Sequence, residues 1–521
     1  MEIGAFAGPS DPCGPLCARV AALCADIGFR EPHLNDQLAK LIAALREPLR
    51  VAFAGRVSMG KSTLVNALLQ APVAPSGDGE TTRVVNRFEG GDFERVELIL
   101  RDDSRRQAFL TPAGVLPPAY PVPNEQIREV RVLLPYAPIL NRITLVDTPG
   151  LESLNEAVSN RTSESLFSRD SRAAIADADA LVYMMGTGTT GDEAAVAAFN
   201  ELTAPDLCAL NAVGVLNCKS EHPVSAYAGM ARRLREDSAF RYRLADVIPV
   251  ACLLAYASAS AMLTEGDTAS LRTLAGYEGE DLFADVDSYL AEPCDVDRQQ
   301  RRKLLDMLGF SGLRTALDTV RSTAEPIEDL NAVLLEKSGL PRLLHVINGT
   351  FADCADQIKA GQTLAAVTRL SYQAERASGQ RARIMIGALR GEPDMHGIEE
   401  LWALQQCSQP DLELPEWVMT ELARVAAHQT ARSKTGLPDG ARAQDVLEVA
   451  RAGASRAHAY GVSLSATRPE GRIAETLRRS YTNIFRYALQ EIEHENRMTG
   501  KIARTHGDSA TVGNCAPEVT S

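Results

Sequence analysis

The period of the apolar positions changes twice along this chain. Leu34, Leu38, Leu41 and Leu45 recur at helical spacing ahead of Pro48, which predicts helix over residues 15–46 with one apolar stripe. From Leu49 onward the pattern becomes short apolar runs, Arg50–Ala54, Arg142–Val146, Ala180–Met185, Ala212–Leu216 and Val247–Val250, with helical stretches between them. Such alternation predicts an α/β domain around a mainly parallel sheet. Glu94–Leu100 and Glu129–Leu134 alternate at period two and predict an added antiparallel edge.

After about residue 255 the strand pattern stops and helical spacing takes over. Leu304-Leu305-Asp306 leading to Gly309-Phe310 is echoed by Leu334-Leu335-Glu336 leading to Gly339-Leu340. Two copies predict two similar helical hairpins, not a solenoid. Leu344, Ile347, Phe351, Cys354 and Ile358, and later Ile473, Leu477, Tyr481 and Ile484, keep the three-four spacing of long helices with one apolar seam, which predicts a bundle or stalk. The expected partition is an N-terminal helical segment, 1–47, packing on a neck; an α/β head, 48–255; a helical neck region, 256–350; a helical trunk, 351–498; and a disordered tail, 499–521.

Composition narrows the function. The 521 residues carry a net charge of −14, which argues against a chain-wide nucleic-acid footprint. Ten cysteines without a C-x-x-C pair indicate neither a zinc finger nor a disulfide framework, and reduced thiols in the cytosol are expected. The N-terminus has no basic-then-apolar leader, and the most apolar long stretch, Val247–Leu263, is broken by Pro249. Any membrane contact is therefore expected to be peripheral. Residues 421–490 are locally basic, which suits either a solvated helix face or an acidic-lipid contact. Trp402, Trp417, Val418 and Met419 read either as an interfacial anchor or as ordinary core.

The chemistry sits between the first strand and the first helix of the head. Gly55-Arg56-Val57-Ser58-Met59-Gly60-Lys61-Ser62 satisfies G-x-x-x-x-G-K-[ST] in a strand-loop-helix context. Gly55 and Gly60 let the loop aim its amides at a polyphosphate, Lys61 reaches the β and γ phosphates, and the Ser62 hydroxyl is a Mg²⁺ ligand. Met59 and Thr63 complete the expected nucleotide-binding set, and Ser58 joins Lys61 as a catalytic candidate.

Asp147-Thr148-Pro149-Gly150 follows an apolar strand, as a carboxylate holding Mg²⁺ through water should, with the Gly150 amide placed to sense the γ-phosphate. Downstream of a phosphate loop this is a GTPase switch signature. In Glu80-Thr81-Thr82-Arg83, Thr82, with Thr81 as its competitor, is expected to complete the metal shell when triphosphate binds. In Asn217-Cys218-Lys219-Ser220-Glu221, Lys219 would pack on the base and Glu221 pair with guanine, Cys218 standing where Asn or Thr is usual.

The order and spacing of these elements resemble the dynamin superfamily of large GTPases. Glu47-Pro48-Leu49-Arg50-Val51-Ala52, Gly60-Lys61-Ser62-Thr63-Leu64-Val65-Asn66-Ala67-Leu68, Thr82-Arg83-Val84-Val85 and Leu334-Leu335-Glu336-Lys337-Ser338-Gly339-Leu340 are similar to segments of actinobacterial isoniazid-inducible dynamin-like proteins. The resemblance covers residues 15–490. It implies a dynamin-type GTPase domain on a helical neck and trunk, binding GTP or GDP with Mg²⁺. It also implies a cytoplasmic protein, peripheral at the inner face of the cell membrane, that pairs with itself through its heads or with a paralogous partner.

One departure bears on rate. Val57 stands where eukaryotic dynamins carry a Gln that places the attacking water, so the resemblance implies slow turnover, turnover helped by a partner, or a GTP-binding scaffold with little turnover. An ATP-using phosphate-loop protein is the remaining alternative.

Overall fold

The computed structural model describes residues 14–507 except 56–57, 76–83, 150–162, 186–210, 220–221, 238–239, 241–242, 278–280, 323–328, 408–411, 413, 429 and 464–466. These form two compact units, 1–392 and 393–521. The first contains a nine-stranded sheet. Its strands are β1 (Leu49–Gly55), β2 (Val85–Gly90), β3 (Arg95–Leu100), β4 (Arg105–Ala108), β5 (Ile127–Leu134), β6 (Ile143–Asp147), β7 (Ala180–Met185), β8 (Ala212–Asn217) and β9 (Val247–Val250), in the order β4-β3-β5-β2-β6-β1-β7-β8-β9.

The half from β6 to β9 is parallel, and its strands are buried along nearly their whole length, so they are apolar throughout. β2 runs antiparallel to β6, and β3 antiparallel to both β5 and β4. The expected antiparallel edge is there. Two strands of this half escaped the sequence reading: β2, Val-Asn-Arg-Phe-Glu-Gly, has its apolar residues three apart at Val85 and Phe88, and β4, Arg-Arg-Gln-Ala, is a polar edge with no apolar alternation. The opposite edge, β9, is closed to further pairing. Val247 N donates to Asp246 Oδ1 at 2.9 Å, Pro249 has no N–H, and Gly339 lies against the Pro249 carbonyl.

The N-terminal helical stretch is a hairpin, α1 (Pro15–Arg30) and α2 (Asn35–Leu45), broken where Pro32 cannot continue the first helix. Helices Ala355–Gln373 and Arg376–Arg390 pack with it. Asp356 accepts the first amides of α1, from Leu16 N at 2.9 Å and Cys17 N at 2.7 Å, and so caps it from another helix. One turn on, the buried ammonium of Lys359 donates to the carbonyls of Glu47 and Pro48.

The stretch 256–350 does not stand apart from the head. Leu304, Leu308, Leu313, Leu317 and Leu334 share one core with Leu216, Val247 and Leu254. The internal echo has a structural meaning: Gly309 and Gly339 both have positive φ and pack on residues 249–254.

The second unit is helical. Its last helix runs Arg468–Gly507, past residue 499, where a disordered tail was expected to begin. Val418 is fully buried, and half-buried Trp417 lies under the Arg456 guanidinium (4.0 Å) and edge-on to Tyr460 (5.9 Å). Val418 is therefore core and Trp417 is packed against its own unit, while Trp402 and Met419 are half-buried. Part of the basic surplus is paired, Arg432 with Glu491, Lys434 with Glu400, Arg442 with Asp445, Arg456 with Glu421 and Arg478 with Glu475. No helix among the described residues is long and apolar enough to cross a membrane.

A pH dependence follows from this unit. His396 is buried, with Nε2 2.9 Å from Ser480 Oγ and 3.8 Å from Glu400, and burial lowers its pKa despite that carboxylate. The unfolded imidazole takes a proton below about pH 6.5 while the folded one resists, so stability is full above that pH and falls as pH drops toward the lowered folded value. Urea unfolding followed by tryptophan fluorescence reports this unit alone, because Trp402 and Trp417 are the only tryptophans. The midpoint should be lower at about pH 5.5 than at about pH 7.5, and His396→Gln should remove most of the difference.

Candidate functional site

β1 ends at Gly55 and helix α3 (Lys61–Leu69) begins six residues later, so residues 55–60 form the loop expected from the sequence. Gly60 has φ +89°, and a Cβ there would lie 2.5 Å from Asn217 Nδ2; only glycine both turns the chain and leaves that space. Ser58 also takes positive φ, at +60°. Lys61 is buried and its ammonium donates back to Gly55 O at 3.2 Å, arching over the loop. Met59 and Thr63 are half-buried beside it.

The parallel pairing of β1 with β6 sets Phe53 opposite Asp147. That register delivers the fully buried carboxylate to the start of α3, where Ser62 Oγ donates to Asp147 Oδ2 at 2.9 Å. Beyond it, Thr148 Oγ1 donates to Phe53 O at 2.7 Å. The side chain replaces a ladder amide, so the backbone after Asp147 leaves the sheet in a fixed direction. Two hard oxygen groups from different elements in contact suit a hard divalent cation such as Mg²⁺.

β8 supplies the third element. Lys219 donates to Ser58 O, so its stem runs along the loop as the base-packing lysine should. Asn217 went unassigned in the sequence reading, which gave its usual place to Cys218. In the structure Asn217 is buried, donates to Met59 O at 2.7 Å and accepts from Cys252 N at 3.5 Å. It ties the phosphate loop to the loop after β9, while the Cys218 side chain turns inward to Leu216 O. The signal was an Asn at a strand end facing a glycine loop, which spacing alone cannot resolve. Burial pushes both nearby thiols up, Cys252 to about 12, so neither serves as a nucleophile near neutrality.

Thr81, Thr82, Gly150 and Glu221, with Arg56, Val57 and Arg83, lie outside the described residues. The structure therefore brings together Gly55, Ser58, Met59, Gly60, Lys61, Ser62, Thr63, Asp147 and Lys219, and adds Asn217 and Thr148.

Residues 51–206 match the sequence model of the Dynamin family. Isoniazid-induced protein IniC of Mycobacterium tuberculosis is 30% identical over 345 residues, which cover 64% of this chain and 69% of that protein. This chain belongs to the dynamin family. As a dynamin-like GTPase it is also similar to Dynamin-like protein 2 of Campylobacter jejuni, 28% identical over 223 residues that cover 40% of this chain and 34% of that one. A solved bacterial dynamin, one of an oligomerised pair described as sensing and tethering membranes at long range, aligns over 96% of this chain and 94% of its own at 12% identity, with a TM-score of 0.31.

Asn217 gives the sharpest local prediction for this dynamin-like site. Asn217→Ala should weaken GTP binding about tenfold by deleting both loop ties, whereas Cys218→Ala should change it less than about twofold, as read by fluorescent-nucleotide titration.

Proposed function

We propose that this dynamin-like GTPase hydrolyses GTP with Mg²⁺ and couples its nucleotide state to head-to-head pairing, or to pairing with a paralogous partner, and thereby to membrane tethering or remodelling. The observation that carries the reading is the convergence on residues 55–62: Ser62 meets Asp147 at 2.9 Å, while Asn217 and Lys219 reach the same loop from β8. Ser62, Asp147 and Thr82 would hold Mg²⁺, which neutralises charge developing on the β and γ phosphates. Lys61 and the loop amides stabilise that charge from the protein side while water attacks the γ-phosphate. Val57 cannot orient that water, so intrinsic turnover is slow and rises when a partner supplies the missing group.

Coupling is supported by the strand that carries Asp147. Arg142, immediately before β6, donates to Asp353 at 2.7 Å and to Asn348 O at 3.4 Å. Asn348 lies in a π-helical turn, Ile347–Ala352, the joint between the helices on either side. A shift at Asp147 thus has a direct route to the turn that leads into the helix Ala355–Gln373. Arg142→Ala should retain at least half the wild-type GTP turnover yet lose the nucleotide-dependent change in sedimentation coefficient. Loss of both together, or of neither, overturns the coupling.

A further inference from the structure

A cleft of about 430 Å³ opens where the edge strand β9 meets the helix Ala228–Glu236 and the turn that follows the helix Leu330–Lys337. None of its lining residues belongs to the phosphate loop. Its buried lining is apolar, Val224, Ala231, Val247 and Ile248. The rest is charged: Arg232, Arg235, Lys337 and Arg342 stand against two carboxylates, Asp246 and Glu336, in a chain whose total is −14.

Asp246 fixes the walls of this cleft. It accepts from Arg235 at 3.4 Å and, from the other side, from Arg342 at 2.5 Å. Each guanidinium has five N–H donors, so both keep donors to spare. Arg232 lies three residues before Arg235, on the same helix face, with the small side chain of Ala228 one turn earlier. Neither Arg232 nor Lys337 has an ion-pair partner among the described residues. Positive charge is thus gathered from two walls around a space that small side chains leave open.

We propose that this cleft binds a small organic phosphate, its dianionic group among Arg232, Arg235, Lys337 and Arg342 and its apolar part on Val224 and Ile248. An added strand is not the occupant, because β9 is closed to pairing, and the volume is that of a small-molecule site. A phosphate suits it better than a carboxylate: four cations offer more donors than two oxygens can accept, and a phosphate brings three oxygens and up to two charges.

Occupancy should also reach the nucleotide. Gly339 lines the cleft and packs on the Pro249 carbonyl, the adjoining Ser338 O accepts from Ala251 N at 3.1 Å, and Cys252 N donates to Asn217. A ligand bridging Arg235 to Lys337 and Arg342 fastens this turn to β9, so it should slow nucleotide release. That coupling rests on the nucleotide reading above and the binding does not, so the two fail separately.

The test is calorimetric titration of the full chain with phenyl phosphate, in excess GDP and Mg²⁺ so that the phosphate loop is filled. Wild type should bind one equivalent, and Arg232→Ala/Lys337→Ala should weaken binding about tenfold or more at an unchanged melting temperature, since neither residue has a pair to lose. Ala228→Phe keeps every charge and fills the cleft, so it should weaken binding as much. Undiminished binding in either variant, or none by wild type, overturns the site. Benzoate bound as tightly overturns the phosphate assignment. Phosphatidate in phosphatidylcholine vesicles should displace phenyl phosphate no better than phosphatidylcholine alone; displacement makes the ligand a lipid headgroup and overturns the free one. Release of fluorescent GDP into excess GDP should slow about fivefold with phenyl phosphate bound, and unchanged release overturns the coupling.

Discussion

Lys61→Ala is expected to lower kcat/KM for GTP by about 10²–10³-fold, the scale of losing one preorganised group that stabilises developing charge. Lys61 is the first residue of α3, buried against the loop it serves, and its ammonium already lies along the path a polyphosphate would take past Gly55. Alanine removes the charge and leaves the amides of the loop in place, so some nucleotide affinity should persist while the chemical step collapses. Lys61→Arg should not rescue it, because the bulkier guanidinium cannot fit where Lys61 is enclosed. Pre-steady-state phosphate release separates the two effects. A Lys61→Ala variant that retains more than about a tenth of wild-type turnover would contradict the role.

Gly339→Ala is expected to destabilise the first unit by about 2–4 kcal/mol and to weaken GTP binding at the same time. Its φ of +88° lies where side chains are strained, and a Cβ would stand 2.0 Å from Pro249 O and 3.1 Å from the carbon of that carbonyl. The obstacle is backbone, so it cannot rotate away. Next to it Ala251 N donates to Ser338 O at 3.1 Å, so the displaced segment is the one entering the loop that meets Asn217 through Cys252. Gly387→Ala is the matched control: a Cβ there meets nothing within 4 Å, in a helix interior, and should stabilise by about 0.5–1 kcal/mol. Equal melting temperatures for Gly339→Ala and wild type would contradict the packing described.

What the sequence disclosed and what it withheld follow the range of the interactions involved. The loop at Gly55–Ser62 and the carboxylate at Asp147 were legible because each is announced by its immediate neighbours, an apolar strand before and a helix or turn after. That the two meet depends on β1 and β6 being adjacent, which the pairing in the sheet supplies. Asn217 was not legible. Whether it or Cys218 faces the loop depends on where β8 ends, and one residue of register swaps the two faces. The echo around Gly309 and Gly339 was visible as a repeat, but its purpose, two left-handed glycines seated on residues 249–254, exists only after tertiary packing. Helical spacing over 256–350 correctly indicated helices and could not tell a neck from a layer completing the core of the head, because periodicity identifies a buried face and not what buries it. For the same reason Trp417 and Val418 suited a membrane anchor and a core equally until their neighbours were known.

The most direct test of the account is steady-state phosphate release from GTP by the purified full chain, measured with Mg²⁺, with the metal chelated, and for Asp147→Asn. The account predicts slow release that needs Mg²⁺ and falls to background in the variant. Release that persists without the metal or in Asp147→Asn, or wild-type release no greater than that of Lys61→Ala despite measured GTP binding, would contradict it.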